Sequence, residues 1–300
     1  MKRLTLVCLV MTLGCKEKMK RALRIQTILA LFIPVTVSYS LAQVSTEPIP
    51  VIQQTVPLNG MQMYYEIYGQ GEPFVLLHGF MGSGQQWSTM IEKLAEEYQL
   101  IVPDLRGHGR STNPSNEFTH RQAALDVFAL LDHLGVDVFK GMGGSTGGMT
   151  LIHMATQQPE RVEAMVLIGA TIYFPEEARQ MMRGFTPESQ TDQDWAWMRQ
   201  VHKNGDEQIK ALRTQFHGFK DSYDDMNFTP PFLSTIKART LIVHGDRDPF
   251  FPVSIPMEMY TAIPHSYLWI VPNGGHVPIS DHEEIFIERA LAFLGGEWEN

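Results

Sequence analysis

The chain has 300 residues, 44% hydrophobic and 19% charged, with a formal net charge of −9. That composition can bury a sizeable core. The acidic balance, with no run of clustered Lys and Arg beyond the first 42 residues, speaks against a nucleic-acid or polyphosphate partner, which needs a basic patch.

Taken in chain order, the first segment differs from the rest. Met19-Lys20-Arg21-Ala22-Leu23-Arg24 is a basic start, followed by an apolar stretch from Ile25 to about Ser40 that ends in Ser40-Leu41-Ala42. This order predicts a secretory signal over residues 1–42 and an exported protein, periplasmic or secreted. Pro34 and the small polar end of the stretch disfavour a permanent membrane span. Met1 to Cys15 also reads as a short basic-then-apolar leader, and Leu13-Gly14-Cys15 faintly resembles a lipoprotein processing site. Translation from Met19 is the preferred expectation, a lipid anchor on Cys15 the lesser one. Cys8 and Cys15 are the two cysteines of the chain. Both leave with the leader, so neither disulfide nor thiolate chemistry is expected in the mature protein.

Val44 to Pro50 reads as a polar tail. Strand and helix signals then alternate. Met61 to Tyr68 is a predicted strand after the Asn59-Gly60 turn, and Phe74-Val75-Leu76-Leu77 a short apolar strand of the kind buried on both faces. A helix is predicted over Trp87–Tyr98 and a buried strand over Leu100–Val102. Arg121 to Leu134 carries apolar residues at Ala124, Leu125, Phe128, Leu131 and Leu134, the pattern of an amphipathic helix. A strand over Val136–Gly143, a helix over Thr146–Gln157 and a strand over Ala164–Ile168 follow. Strands at Thr240–Val243 and Tyr267–Val271 and a helix over Glu283–Leu294 end the series. Such alternation predicts an α/β fold, a mainly parallel sheet with helices on both faces. Between Ala170 and Arg239 the rhythm breaks into helical stretches rich in bulky side chains, among them Trp195 and Trp197. This segment is predicted to be a helical lid, although aromatic side chains more often pack a core than touch a ligand.

Gly143-Gly144-Ser145-Thr146-Gly147-Gly148 lies between an apolar strand and an apolar helix. That is Gly-x-Ser-x-Gly in the context its chemistry requires. A sharp strand-to-helix turn lifts the Ser hydroxyl clear of the sheet. It also brings backbone so close that Gly143 and Gly147 must lack a Cβ. The helix N-terminus then directs free N–H groups at negative charge forming beside Ser145.

On these residues the chain resembles the α/β-hydrolase family, from about Thr55 to the C-terminus. The resemblance implies the α/β-hydrolase fold, with residues 43–170 and 236–300 as its core and residues 171–235 as a variable helical cap after the sixth strand. It implies Ser145 as nucleophile, Asp248 of Gly245-Asp246-Arg247-Asp248-Pro249 as the orienting acid, with Asp246 its competitor, and His276 of Gly274-Gly275-His276 as general base. Leu77-His78-Gly79-Phe80 matches the family's His-Gly pair. Phe80 and Thr146 are thus the expected oxyanion-hole N–H donors, and His78 is structural. Asp104-Leu105-Arg106-Gly107-His108-Gly109-Arg110-Ser111 matches a second signature, read as a loop brace. Phe80, Trp195 and Trp197 are candidate substrate contacts.

The chain departs from the family's pattern in two places. Lys140 interrupts the nucleophile strand, and Gly144 stands where relatives often carry His. A Ser at the elbow argues against haloalkane dehalogenase and epoxide hydrolase chemistry, whose nucleophile is Asp. Phe80-Met81-Gly82-Ser83 lacks the Pro often seen in cofactor-free perhydrolases. There is no His-Glu-x-x-His, calcium-type carboxylate loop or phosphate loop, so no metal or cofactor is expected. The expected activity is hydrolysis of a small-molecule carboxylic ester or lactone through an acyl-enzyme. Perhydrolysis, amide cleavage and carbon–carbon bond hydrolysis are alternatives on the same triad, and a non-catalytic ligand-binding protein is another on the same fold. The sequence sets no oligomeric state.

Overall fold

The computed structural model describes residues 52–298. The predicted leader over residues 1–42, Cys15 and the Val44–Pro50 tail lie outside them. In chain order the elements are β1 (Ile52–Leu58), β2 (Met61–Tyr68), β3 (Glu72–Leu77), α1 (Ile91–Ala95), β4 (Tyr98–Pro103), α2 (His120–Leu134), β5 (Phe139–Gly144), α3 (Thr146–Gln157) and β6 (Val162–Ile168). Then come α4 (Glu176–Gly184), α5 (Asp192–Val201), α6 (Asp206–Gly218), α7 (Pro230–Leu233), β7 (Arg239–Gly245), α8 (Ser254–Ala262), β8 (Ser266–Val271) and α9 (Glu283–Leu294).

The eight strands form one sheet in the order β1-β2-β4-β3-β5-β6-β7-β8. β1–β2 and β2–β4 pair antiparallel, and from β4 onward every pair is parallel. Side chains alternate across each strand, and the two cores follow from that alternation. Val75 and Leu77, Met165 and Leu167, and Ile242 face α2, α3 and α8 in one cluster. Phe74 and Leu76, Val166 and Ile168, and Leu241 and Val243 face α1 and α9 in the other. Strands buried on both faces read as continuous apolar runs, which is why β3, β6 and β7 were visible in the sequence.

Three elements differ from expectation. β1 is exposed at its first four residues, so it carries no apolar pattern and is held by its ladder to β2. Trp87–Tyr98 is not one helix. A 3-10 turn ends at Trp87, α1 spans five residues, and Tyr98 already belongs to β4, paired with Glu72. Trp87, Met90 and Leu94 are nonetheless buried, so the helical spacing arises from two short turns that present one face. The strand expected from Val136 begins at Phe139, because Gly135 ends α2 in a left-handed conformation and Val136 N–H closes onto Leu131 O at 2.8 Å.

The cap lies between β6 and β7 and comprises α4 to α7. Its own small cluster is Met198, Ile209 and Leu212, against which Trp195, Phe80 and Met81 pack. Lys140, unusual in a buried strand, is paired by its Nζ with Glu72 at 2.6 Å and Glu163 at 3.5 Å.

The loop after β4 is braced from both ends. Asp104 is buried and accepts the N–H of Gly84 and of Arg110, each at 2.8 Å. Arg106 does not pair with it. The Arg106 guanidinium reaches α2 and clasps Asp126 through Nε at 2.7 Å and Nη2 at 2.8 Å, both side chains buried. Breaking one partner of such a pair leaves an uncompensated interior charge. Arg106→Ala is therefore expected to lower the unfolding free energy in urea by about 3–5 kcal/mol. Adding Asp126→Ala should restore part of the loss, and a single-variant cost below about 1 kcal/mol would show that the pair does not brace the loop.

Candidate active site

β5 ends at Gly144 and α3 begins at Thr146, so Ser145 alone makes the turn between them. Its backbone sits at φ 50° and ψ −114°, a region an L-residue occupies only when its surroundings hold it there, at a cost of order 1–3 kcal/mol. Ser145 N–H is fixed to Ile168 O at 2.7 Å. A Cβ on Gly147 would lie 2.0 Å from Leu77 O, and one on Gly143 would lie 2.3 Å from the Gly147 carbonyl carbon. The two glycines are thus sterically required.

Two loops reach this turn from the same edge of the sheet. The loop after β7 carries Asp248, whose side chain is wholly buried. Its Oδ1 accepts the N–H of Phe250 at 2.8 Å and of Phe251 at 3.2 Å. Its Oδ2 lies 2.7 Å from His276 Nδ1. The loop after β8 carries His276, and its Nε2 lies 2.9 Å from Ser145 Oγ. The carboxylate can only accept, so Nδ1 holds the ring proton and Nε2 is free to accept from the serine hydroxyl. Asp246, the competing acid, stands beside Arg247 at 3.7 Å and makes no contact with His276. The neighbouring Val277 has φ 54°, an unusual setting for a β-branched residue.

Phe80 and Thr146 flank Ser145, and among the described residues neither backbone N–H has a protein acceptor. Thr146 opens α3, so its amide belongs to the positive end of the helix dipole. Gln86, which the sequence reading passed over, supports this side. Its Oε1 accepts Gly79 N–H at 2.9 Å, and a Cβ on Gly144 would lie 2.9 Å from its Nε2. The glycine at 144 therefore leaves room for Gln86.

His78 is wholly buried. Its Nδ1 donates to Gly79 O at 2.7 Å and its Nε2 accepts Leu105 N–H at 2.9 Å. It joins β3 to the braced loop and makes no contact with Ser145. His202 of the cap performs a matching task, accepting Gly109 N–H at 2.9 Å and donating to Met81 O at 3.1 Å.

A cavity of about 420 Å³ opens over Ser145 and His276. The cap supplies Phe174, Met182, Phe216 and Phe219 to its wall, and the core supplies Phe80, Met149, Phe250 and Phe251. Gln86, Thr89, Ser280 and Glu283 line another part. Trp195 and Trp197 are absent from the lining. Trp195 packs into the cap's own cluster and Trp197 is half exposed. The cap rings that do reach the cavity are Phe216 of α6, Phe219 directly after it and Phe174 of the loop before α4. No cluster of three metal-capable side chains occurs among the described residues.

Comparison with known proteins bears on the fold. Residues 72–194 match the family described as alpha/beta hydrolase fold. The chain is 26% identical over 269 residues to the 2-hydroxy-6-oxo-6-(2'-aminophenyl)hexa-2,4-dienoic acid hydrolase of Metapseudomonas resinovorans, covering 81% of this chain and 91% of that one. It is 24% identical over 257 residues to the pimeloyl-[acyl-carrier protein] methyl ester esterase of Vibrio vulnificus, covering 78% and 98%. Its fold is similar to that of a meta-cleavage product hydrolase of Pseudomonas fluorescens IP01, with a TM-score of 0.68 at 21% identity over 83% of this chain and 98% of the other. The chain has the α/β-hydrolase fold.

The buried histidines give the loops around the site a pH signature. Burial pushes His78, His153 and His202 down to about 4, against carbonyl contacts that pull the other way. In the unfolded chain the same imidazoles titrate near 6.5. Between these values the unfolded chain binds more protons than the folded one. Their contribution is thus complete above about pH 6.5 and is lost as the pH falls toward 4. The urea midpoint should fall steadily over that window, and His202→Gln should make the fall shallower. A midpoint that rises toward pH 4 would refute neutral burial.

Proposed function

We propose that the protein is a serine hydrolase that cleaves an uncharged carboxylic ester or lactone, with Ser145 as nucleophile, His276 as general base and Asp248 as the group that orients it. The observation that carries this reading is the continuous contact from Asp248 through His276 to the Ser145 hydroxyl at the mouth of the cavity. His276 Nε2 takes the hydroxyl proton while Ser145 Oγ bonds to the carbonyl carbon. The resulting oxyanion is received by the N–H groups of Phe80 and Thr146, an arrangement in which one donor is typically worth about 3–4 kcal/mol of barrier. The carbon–oxygen bond to the leaving group breaks, and His276 returns its proton to the departing alkoxide. Water then attacks the acyl carbon as His276 takes its proton, the bond to Ser145 Oγ breaks, His276 returns that proton to Oγ, and the acid leaves.

The choice of an ester or lactone over a carbon–carbon substrate rests on charge. The dienoate hydrolase that this chain resembles acts on a substrate whose name includes a carboxylate. Among the residues lining the cavity there is no Lys or Arg, and one of them is Glu283. A carboxylate entering it would meet no cation to offset lost hydration and would be repelled by Glu283. The methyl ester esterase among the relatives supports ester cleavage. The leader read over residues 1–42 supports the further proposal that the enzyme works outside the cytoplasm.

A fluorophosphonate probe should label the purified protein, and Ser145→Ala should abolish labelling and ester hydrolysis together. Normal labelling of that variant would refute the nucleophile. Asp248→Asn should fold normally yet lose about 10⁴ in turnover of p-nitrophenyl esters, because the amide favours the wrong imidazole tautomer. Near-normal rates would refute its role. On substrates matched in size, neutral esters should exceed diketone carboxylates in kcat/KM, and the reverse order would favour carbon–carbon hydrolysis.

A further inference from the structure

A second aspartate–histidine couple borders the same cavity. His120 opens α2, is wholly buried, and is part of the cavity wall. Its Nδ1 lies 2.7 Å from Asp225 Oδ2 in the cap. The same carboxylate accepts the backbone N–H of His120 at 2.8 Å and of Arg121 at 3.1 Å. Burial works against ionisation of Asp225, but the His120 contact and these amides outweigh it and hold the carboxyl down to about 2. Asp225 therefore accepts and Nδ1 carries the proton, so in the neutral imidazole Nε2 is the acceptor.

That Nε2 has no hydrogen-bond partner although it is buried. Two other buried imidazole nitrogens share this state, His108 Nε2 and His244 Nδ1, but neither of those residues lines the cavity. The rings of Phe118, Phe174 and Phe219 lie 5.4 to 6.0 Å from that of His120. They offer the nitrogen no acceptor or donor. A role confined to tying the cap down would need Nδ1 alone, and Asp225 is also held through its backbone O by His153 Nε2 at 2.8 Å. Such a tie leaves unexplained why a second polar atom is kept in an aromatic wall, where an unpaired acceptor is costly.

We propose that His120, set by Asp225, is a substrate-recognition residue whose Nε2 accepts a hydrogen bond from a hydroxyl group on the substrate. This rests on the ester or lactone hydrolysis proposed above and narrows it to hydroxyl-bearing compounds. A hydroxyl is the neutral donor that suits a cavity without cationic side chains, and it fills the unpaired site at Nε2.

The test compares esters that differ by one hydroxyl. In one series the hydroxyl is on the acyl chain, as p-nitrophenyl esters of hydroxyalkanoic and plain alkanoic acids of increasing length. In the other it is on the alcohol, as hydroxyalkyl and alkyl acetates. The wild-type enzyme should favour the hydroxyl-bearing member of at least one series by about 10- to 100-fold in kcat/KM, the range of a buried acceptor gaining or lacking its partner. His120→Phe should bring that ratio to about one, and His120→Gln, which keeps an acceptor, should retain part of the preference. No preference in either wild-type series, or one unchanged in His120→Phe, overturns the proposal. If His120→Phe does not fold by circular dichroism, the wild-type ratio and His120→Gln decide. Calorimetric binding of the same ester pairs to Ser145→Ala separates the two readings. Discrimination there without any wild-type turnover refutes ester hydrolysis alone, and turnover without discrimination refutes recognition by His120 alone.

Discussion

Ser145 can stand at φ 50° only because backbone passes within contact distance on both sides of it, and the rest of the site is arranged around that turn. The close approach of Gly147 to Leu77 O locks α3 onto β3, the strand whose end also carries His78, Gly79 and Phe80. One steric constraint thereby fixes the nucleophile, the amide of Thr146 and the amide of Phe80 relative to one another. The strain is held by the sheet: β5 is buried along its whole length, and β3 and β6 pair with it on either side. A site set on such a frame pays little reorganisation when charge appears.

What the frame does not supply, buried polar side chains do. Asp104 holds amides from two loops, Arg106 reaches back to Asp126, and His78 and His202 each use both ring nitrogens between backbone groups. In each case a side chain takes the place of a ladder that irregular backbone cannot form. His202 and Asp225 are cap residues, and through them the cap is bound to the Met81 loop, to α2 and to α3. Phe174, Met182, Phe219, Met226 and Phe228 of the cap also join the main core cluster, so the cap needs only a small apolar cluster of its own.

The parts legible in the sequence are those set by local rules. Apolar runs marked β3, β6 and β7, the spacing of α2 was clear, and the elbow declared itself through glycines whose absent Cβ atoms have a steric reason. Ser145 could be named from the elbow, and Asp248 and His276 from the resemblance to the α/β-hydrolases. The cavity lining was not legible. Trp195 and Trp197 looked like ligand contacts because they are large and lie in the cap, yet α5 turns Trp195 into the cap's own cluster and Trp197 toward solvent. His120 and Asp225 are 105 residues apart and sit in no motif. Their pairing depends on how the cap lands on α2, which no periodicity encodes. Lys140 looked like a flaw in a core strand until Glu72 and Glu163 were seen beside it.

The distribution of charge around the cavity joins these observations. The Asp248 carboxyl is shut away behind His276 and satisfied by two amides. Asp225 is likewise satisfied by amides and by His120. Both acids are thus presented to the cavity only through an imidazole, one facing the serine and the other facing the aromatic wall. An acid buried behind a histidine lends orientation and proton affinity to the exposed ring nitrogen without placing net negative charge where the substrate binds. Two such couples add two polar points to the apolar part of the cavity wall, apart from the side lined by Gln86, Thr89, Ser280 and Glu283. Such an interior suits a molecule with a carbonyl at one point, a hydroxyl at another and hydrocarbon in between.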